Sequence, residues 1–278
     1  MGPGEQRLKR LIVTADDFGA AKAVNDAVEM AFRDGILTAA SLMVAAPASE
    51  DAVRRAKVLP DLAVGLHLVV VRGTSALPAS QIPALADADG RFDGNLVRAG
   101  FRYFFSPRAR RQLRVEIRAQ FQAFADTGLA LDHVNTHNHM HLHPTVLGLI
   151  LEVGRDFGMT AMRLPYETAS GIAGLFLKPW LFLTKRRLER AGIRHNDVLI
   201  GLSATGCMDR ERMIEALSDL PDGVSELMTH PATGDWEGRE REAAGFRYSD
   251  ELAGLVDPAV RAAAEGSGAR RITFSEIA

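Results

Sequence analysis

Short apolar segments alternate with segments of helical periodicity along most of this 278-residue chain. The run Leu11-Ile12-Val13 lies within residues 8–15 and predicts a short buried strand, because of its length and its β-branched side chains. Residues 21–34 carry apolar side chains at helical spacing and are followed by Gly35, which predicts a helix with a glycine cap. Repeated alternation of this kind predicts a parallel β-sheet covered by helices. No internal repeat or linker divides the chain, so we expect one domain over residues 1–278.

The same patterns continue to the end of the chain. Strands are predicted at residues 8–15, 37–46, 62–71, 129–136, 160–164, 197–202, 224–229 and 271–274. Helices are predicted at residues 21–34, 48–59, 108–127, 144–157, 172–191, 209–220 and 249–265. Seven or eight such units in a chain of this length predict an α/β fold of the TIM-like (β/α) barrel type, complete or incomplete. The irregular stretch at residues 72–107 is predicted to be a lid or an insertion.

Composition narrows the class of protein. Apolar residues make up 47% and charged residues 24% of the chain, the balance of a soluble globular protein. A net charge of -2 excludes a generally basic nucleic-acid-binding protein. The single cysteine, Cys207, permits neither an intramolecular disulfide nor a thiolate metal cluster, so a metal site must use nitrogen and oxygen ligands. Residues 1–6 are polar and do not resemble a secretion signal, so we expect a cytoplasmic protein.

Five of the eight histidines fall between Asp132 and Pro144. Neutral imidazole is the commonest protein ligand for a transition metal and also works as a general acid or base near neutral pH, so the cluster favours a metal-dependent enzyme. In an extended segment, His137 to His143 would span roughly 20 Å, whereas zinc to nitrogen bonds are about 2 Å long. One ion therefore takes one or two of these histidines, and the others bind substrate, support the ligands or stabilise the fold.

Other polar residues collect at the predicted strand ends. Asp16-Asp17, His67, His137, Arg163 and His230 each lie at or just after the carboxyl end of a different strand. Barrel enzymes place their catalytic groups on that rim. Taken singly, the acidic pair also fits a helix cap, His67 a core histidine and Arg163 a surface ion pair. Their shared position favours one active site.

Six segments, in order along the chain, resemble the YdjC/ChbG family of carbohydrate deacetylases. They are TADDFG at residues 14–19, SLMV at 41–44, VGLHL at 64–68, THNHMH at 136–141, RLP at 163–165 and LMTHP at 227–231. Within that family the chain is most similar to the hopanoid-biosynthesis-associated (HpnK-type) members, through LDHVN at 131–135, RYFF at 102–105 and HPAT at 230–233.

The resemblance implies a (β/α) barrel that binds one divalent metal ion and hydrolyses the N-acetyl group of an N-acetylated amino sugar. The metal ligands of the family fall on Asp17, His67 and His137. Zinc and magnesium are the leading candidates, and the ligand set leaves the choice open.

The expected mechanism follows from that ligand set, because the ion has open positions to activate a water and polarise an acyl oxygen. Asp16 is predicted to deprotonate the water, and Arg163 to keep Asp16 ionised. His230 is predicted to protonate the departing amine, with His139 and His141 as alternatives. Substrate binding is predicted for His139, His141 and Tyr166.

The resemblance also suggests the substrate, an N-acetylglucosamine group on a glycosylated hopanoid lipid. Residues 172–191 crowd apolar side chains ahead of a basic run, which predicts either a helix resting at the inner-membrane interface or a barrel helix packed on the sheet. Soluble chitooligosaccharides are the alternative substrate, although two tryptophans and three tyrosines offer few sugar platforms. If the protein is not an enzyme, the alternative is a metal-dependent carbohydrate-binding protein without turnover. The sequence leaves the oligomeric state open.

Overall fold

Seven parallel strands form one curled sheet in the computed structural model, which describes residues 8–167, 172–237 and 243–278, without the side chains of 172–177. The strands are β1 Arg10–Phe18, β2 Ala39–Leu42, β3 Ala63–Leu68, β4 Val134–Thr136, β5 Val198–Ile200, β6 Val224–Thr229 and β7 Arg270–Arg271. They are hydrogen-bonded in the order β4-β3-β2-β1-β6-β5, and β7 pairs with the first residues of β1. The α/β class is confirmed, and the barrel is an incomplete one.

Helices follow the strands and cover the sheet. They are α1 Lys22–Asp34, α2 Ser49–Lys57, α3 Leu96–Phe105, α4 Pro107–Asp126, α5 Pro144–Asp156, α6 Ile172–Arg190, α7 Arg210–Ser218, α8 Tyr248–Val256 and α9 Pro258–Gly266. Local sequence explains their starts: Ser106 accepts a hydrogen bond from the Ala109 amide, and Pro107 occupies the first turn of α4. Within the described residues, no helix has the length and apolarity needed to cross a membrane.

The strand predicted at residues 160–164 does not form as a regular strand. Residues 161 and 162 make only single bridges, from Met162 to Val134 and from Ala161 to Arg194. The segment still fills the space between β4 and β5, because the Arg163 amide donates to the Val134 carbonyl and Asn196 bonds the backbone of Leu164. Arg163 therefore projects from an irregular segment that completes the wall of the barrel.

The stretch predicted as a lid or insertion, residues 72–107, contains α3 and a loop that is packed onto the barrel. Ile82, Leu85 and Phe92 of this loop are buried. The carboxylate of Glu116 on α4 accepts hydrogen bonds from the amides of Ala76 and Leu77, at 2.7 and 3.0 Å. These contacts hold the loop in place at the edge of the sheet.

The helix predicted at residues 249–265 is two helices. Asp257 ends α8, and its side chain caps α9 by accepting from the Ala259 amide at 2.7 Å. Pro258 has no amide hydrogen to continue α8 and is favoured in the first turn of a helix. The apolar period alone did not reveal this break.

The last residues of the chain close the amino-terminal end of the barrel. A 3-10 helix at Phe274–Glu276 buries Phe274, whose ring stacks on His133 with centroids 4.4 Å apart. Asp132 accepts from the Ser275 amide at 2.9 Å and from His133 Nδ1 at 2.9 Å. A buried histidine thus joins the C-terminal segment to the strands that carry the candidate site.

Candidate active site

The residues predicted at strand ends lie at one edge of the sheet. Asp16 and Asp17 are near the end of β1, and His67 is the penultimate residue of β3. His137 follows β4 directly and His230 follows β6 directly. Because parallel strands share their carboxyl edge, these side chains from distant parts of the sequence line the same cleft.

Three of them present ligand atoms to a common point. His67 Nε2 is 3.4 Å from Asp17 Oδ1 and 3.3 Å from His137 Nδ1. His137 Nδ1 is 3.3 Å from Asp17 Oδ1. The three residues form a group whose ligand atoms lie within 4.8 Å of one another. Two imidazoles and one carboxylate at this spacing match a catalytic metal site that keeps a coordination position open.

Asn135 sets the orientation of His67. The Asn135 side chain donates from Nδ2 to the Asp16 carboxylate at 3.0 Å, so its other terminal atom is the oxygen. That oxygen is 2.7 Å from His67 Nδ1, which must therefore carry a hydrogen. Burial lowers the pKa of His67 to about 4, so at neutral pH Nε2 keeps a lone pair for a metal.

The carboxylate of Asp17 fits the same interpretation. Asp17 Oδ1 is buried and has no hydrogen-bond partner among the described residues. Burial alone would raise the pKa of Asp17, but the imidazoles of His137 and His67 hold it at about 2. An ionised oxygen without a donor, facing two imidazole nitrogens, fits a divalent cation.

Asp16 belongs to a separate buried ion-pair network. Arg163 donates from Nη1 to Asp16 Oδ2 at 2.5 Å and from Nη2 to Oδ1 at 2.9 Å. The same guanidinium donates to Glu226 Oε1 at 2.8 and 2.6 Å, and all of Arg163 is buried. Burial raises the pKa of Asp16, but the charge and hydrogen bonds of Arg163, together with the charges of His67 and His230, outweigh burial and hold that pKa well below its usual value. Asp16 is therefore ionised beside the three ligand atoms.

The backbone at the site adopts conformations that residues with a side chain seldom use. Asp17 has φ 63°, and Asn138 and His139 both have φ 52°. Successive side chains of a regular strand point to opposite faces, whereas Asp16 and Asp17 both line the cleft. The turn at Asp17 permits this, at a cost of about 1–3 kcal/mol that is typical of functional sites.

The remaining histidines of the cluster lie in the 3-10 helix His137–Leu142 and at its end. His139 lines the cleft, and its Nδ1 is buried without a hydrogen-bond partner among the described residues. His141 is fully buried behind the cleft lining, with Nδ1 2.7 Å from Thr136 Oγ1. Burial, with the nearby charge of Arg163, lowers the pKa of His141 to about 3 and that of His139 well below its usual value. The structure thus brings His139, but not His141, to the cleft.

Of the two other predicted site residues, His230 and Tyr166, only His230 lines the cleft. His230 lines the cleft, and its Nδ1 is buried without a hydrogen-bond partner among the described residues. Its backbone amide donates to the carboxylate of Glu251, a fully buried group whose pKa is raised by burial. Tyr166 is half-buried and does not belong to the described cleft lining.

The cleft has a volume of about 430 Å³, in the range of a site for a small organic ligand. One wall is apolar and consists of Met43, Val44, Ala45, Ala46 and Pro47. Another wall is aromatic and consists of Trp236, Phe246 and Tyr248. Further lining residues are Arg72, Thr74, Arg91 and Gln120. The site can therefore surround a ligand that has both polar and apolar faces.

Sequence patterns did not single out several polar residues that complete the site. Asn135 and Ser41 bond each other at 2.9 Å beneath Asp16, and Glu226 and Glu251 are fully buried. Glu226 gave one usable signal, a lone acid in the strand run Val224–Thr229, because a fully buried carboxylate requires a partner. Asn135 belongs to the segment LDHVN, but its contact with His67 could not be predicted from the sequence because it depends on the β3–β4 register.

Comparison with known proteins places the chain in a family. The sequence profile of the YdjC-like protein family matches residues 10–266. The chain is 33% identical to a carbohydrate deacetylase of Brevibacillus brevis, over 96% of this chain and 99% of the relative. It is 31% identical to a carbohydrate deacetylase of Geobacillus stearothermophilus, over 96% of this chain and 97% of the relative.

A solved structure from Enterococcus faecalis, described as that of a candidate cellobiose-phosphate cleavage protein, has the same fold. It superimposes with a TM-score of 0.75 at 23% identity, covering 98% of this chain and 99% of that chain. The family match spans most of the sequence, and both curated relatives align over nearly their whole length. The chain belongs to the YdjC-like protein family.

Proposed function

We propose that this protein is a metal-dependent carbohydrate N-deacetylase that hydrolyses the acetamide of an N-acetylglucosamine group. The observation that carries the proposal is the juxtaposition, in one cleft, of the Asp17, His67 and His137 ligand atoms with the ionised Asp16. The carbohydrate deacetylases among its relatives support the reaction class.

Asp17, His67 and His137 would hold the ion. A divalent ion bound there would lower the pKa of a water and polarise the acetyl oxygen. Imidazole ligands suit zinc and other transition metals, whereas magnesium prefers oxygen ligands. We therefore propose zinc, with two histidine nitrogens among its ligands.

Asp16 is the proposed general base. Of its two oxygens, Oδ1 accepts from both Arg163 and Asn135, whereas Oδ2 accepts only from Arg163 among the described residues. Oδ2 therefore has the capacity to accept a proton from water. The low pKa of Asp16 makes it a weak base, which would suit a water that a bound ion had made more acidic.

His230 is the proposed general acid for the departing amine. Both His230 and His139 line the cleft with an unpartnered nitrogen among the described residues. Burial and the nearby charge of Arg163 disfavour the protonated form of His139, whereas His230 is held in the cleft lining by the hydrogen bond from its backbone amide to Glu251. We therefore propose His230 rather than His139 as the acid.

The proposed substrate is lipid-linked, an N-acetylglucosamine group on a glycosylated hopanoid. Trp180, Phe182 and Leu183 on α6 are 46%, 57% and 50% exposed, which supports the prediction of an interfacial helix. Leu181 and Leu188 are buried, so the same helix also packs on the protein. The side chains of residues 172–177, which belong to the same predicted apolar stretch, lie outside the described part of the structure.

Soluble chitooligosaccharides are the second candidate substrate. Trp236 and Tyr248 lie in T-shaped contact, with centroids 4.8 Å apart, on the aromatic wall of the cleft. Aromatic side chains offer apolar surfaces against which a sugar ring can pack. This wall fits an amino-sugar ring whether or not the ring is attached to a lipid.

The test is release of acetate from an N-acetylglucosaminyl hopanoid in vesicles and from diacetylchitobiose, by zinc-loaded protein. We expect acetate from the lipid substrate, with Asp16→Asn reducing kcat by about 10²–10⁴-fold. Asp257→Asn is the matched control, because asparagine also caps a helix and Asp257 lies outside the cleft lining.

Zinc affinity is measured on the same proteins by calorimetry. Asp17→Asn should lose zinc, whereas Asp16→Asn should retain it. Acetate from diacetylchitobiose alone would select the soluble substrate. Zinc binding with no acetate from either substrate would contradict the deacetylase and favour a carbohydrate-binding protein, which would not need Asp16 as a base.

A further inference from the structure

Helix α3 is attached to the protein by one face only. Ala99 and Tyr103 are buried, and the Tyr103 hydroxyl donates to the Val70 carbonyl in the loop after β3. Asn95 caps the first turn by accepting from the Arg98 amide at 2.9 Å. The helix therefore has a fixed position on the barrel.

The opposite face of α3 is also apolar, and it is exposed. Val97, Phe101, Phe104 and Phe105 follow the spacing i, i+4, i+7 and i+8, which puts them on one side of a helix. Their exposed fractions are 68%, 62%, 49% and 68%. The rings touch each other: Phe101 and Phe105 are stacked at 6.0 Å, and Phe104 meets Phe105 at 5.0 Å. We call these four residues the α3 apolar face; a contiguous patch of this kind indicates an interaction surface.

The charge around the α3 apolar face is positive, although the whole chain carries -2. Between Asp93 and Glu116 the sequence has six arginines and no acidic residue. Arg98 and Arg102 pair with Asp93, and Arg114 pairs with Glu152. Three further arginines at the start of α4 are exposed and make no ion pair with any described residue; they are Arg108, Arg110 and Arg111.

The α3 apolar face lies beside the candidate active site. Arg72 lines both the cleft and a groove formed with the first turn of α3. At the other end of the helix, the Phe104 ring is 6.2 Å from the ring of His143, which directly follows the 3-10 helix that carries His137. A partner that binds the α3 apolar face therefore lies next to the opening of the cleft.

We propose that the α3 apolar face, with Arg108, Arg110 and Arg111, is a docking surface for an anionic phospholipid bilayer. Phenylalanine rings enter the boundary between headgroups and acyl chains, while arginines bind the phosphates. A second copy of the chain fits less well, because a two-fold contact would bring two sets of like charges together. Docking of this kind would bring the protein to a lipid-linked substrate. This link to the substrate rests on the proposed function, whereas the docking itself does not.

The experiment is sedimentation of the full chain with phosphatidylcholine vesicles and with vesicles that also contain phosphatidylglycerol. We expect binding to the anionic vesicles, reduced about tenfold or more by combined replacement of Phe101, Phe104 and Phe105 with Gln. Each Gln replacement of Arg108, Arg110 or Arg111 should weaken that binding about fivefold. Met30→Gln with Val58→Gln is the matched control, because both residues are exposed and lie on other helices or loops.

Three outcomes would overturn the proposal. One is no binding of the wild type to either vesicle, and another is unchanged binding of the phenylalanine variant, which would assign the contact to α6. The third is a concentration-dependent dimer that the phenylalanine variant abolishes, without vesicle binding. Measurements on the wild type keep the two proposals separate: docking fails alone if the wild type releases acetate from either substrate but binds neither kind of vesicle, and the deacetylase fails alone if it binds anionic vesicles but releases acetate from neither substrate.

Discussion

The guanidinium of Arg163 joins Asp16 to Glu226 in the interior of the barrel, with contacts of 2.5–2.9 Å to the two carboxylates. All three residues are buried. The charge of Arg163 helps to hold Asp16 ionised, and none of the three side chains has solvent to replace a lost partner. The candidate base is thus fixed by an interaction that also holds β1, β6 and residues 161–166 together.

Replacing Arg163 with Met should therefore reduce the free energy of unfolding by about 3–5 kcal/mol, since it leaves two carboxylates buried without their cation. Urea denaturation of the metal-free protein measures the change. The control is Arg114→Met, which removes an exposed pair with Glu152 and should cost about 1 kcal/mol or less. Similar losses for the two variants would contradict this account of Arg163.

Asn135 should control the affinity of the site for zinc through the His67 tautomer. Replacing it with Ala removes the acceptor of the His67 Nδ1 hydrogen, and loss of such a supporting contact typically lowers metal affinity about 10–100-fold. Calorimetry gives the affinity, and ¹⁵N spectra of the histidine ring give the tautomer. Ser41→Ala is the control, because it removes a neighbour of Asn135 and leaves the Asn135–His67 contact in place. An unchanged tautomer in Asn135→Ala would show that Asn135 does not position the ring.

The proximity of Asp17, His67 and His137 was predictable because each residue lies at the end of a parallel strand, and parallel strands share an edge. The contact of Asn135 with His67 was not, because it requires the register that sets these two residues opposite each other. A slip of one residue would turn Asn135 to the other face of the sheet. Sequence periodicity specifies which elements form, while register follows from packing between elements.

The segment predicted as a strand at residues 160–164 shows the same limit. Its apolar pattern predicted a strand, but its hydrogen bonds are distributed over Val134, Arg194 and the side chain of Asn196. A side chain that bonds both the amide and the carbonyl of Leu164 takes the place of a strand partner. The periodicity of the segment does not indicate that the Asn196 side chain replaces a strand partner.

The stability of the metal-free protein should fall as the solution is acidified. In the unfolded chain a histidine takes up a proton near pH 6.5, whereas burial keeps His141 neutral until about pH 3 and His67 until about pH 4. The unfolded state then binds more protons, so stability is lost as pH decreases below about 6.5. Each of these two histidines contributes about 1.4 kcal/mol per pH unit between about pH 6 and 4.5.

The measurement is the unfolding free energy as a function of pH, with a chelator present. His141→Asn should reduce the slope by about one proton, or about 1.4 kcal/mol per pH unit, whatever its effect on stability at pH 7. A variant curve parallel to that of the wild type would show that His141 is not held neutral by its surroundings.

The contact between Gly65 and His133 gives the last prediction. A Cβ atom added at Gly65 would lie 2.4 Å from Cε1 of His133. The ring has no room to move, because its nitrogens are bonded to Ser41 and Asp132 and its face is stacked on Phe274. Gly65→Ala should therefore cost about 1–3 kcal/mol in unfolding free energy through overpacking.

Gly94→Ala is the matched control, since an added Cβ there meets no atom within 4 Å. Equal urea midpoints for the two variants would show that His133 can yield, and that the C-terminal segment does not hold it rigidly.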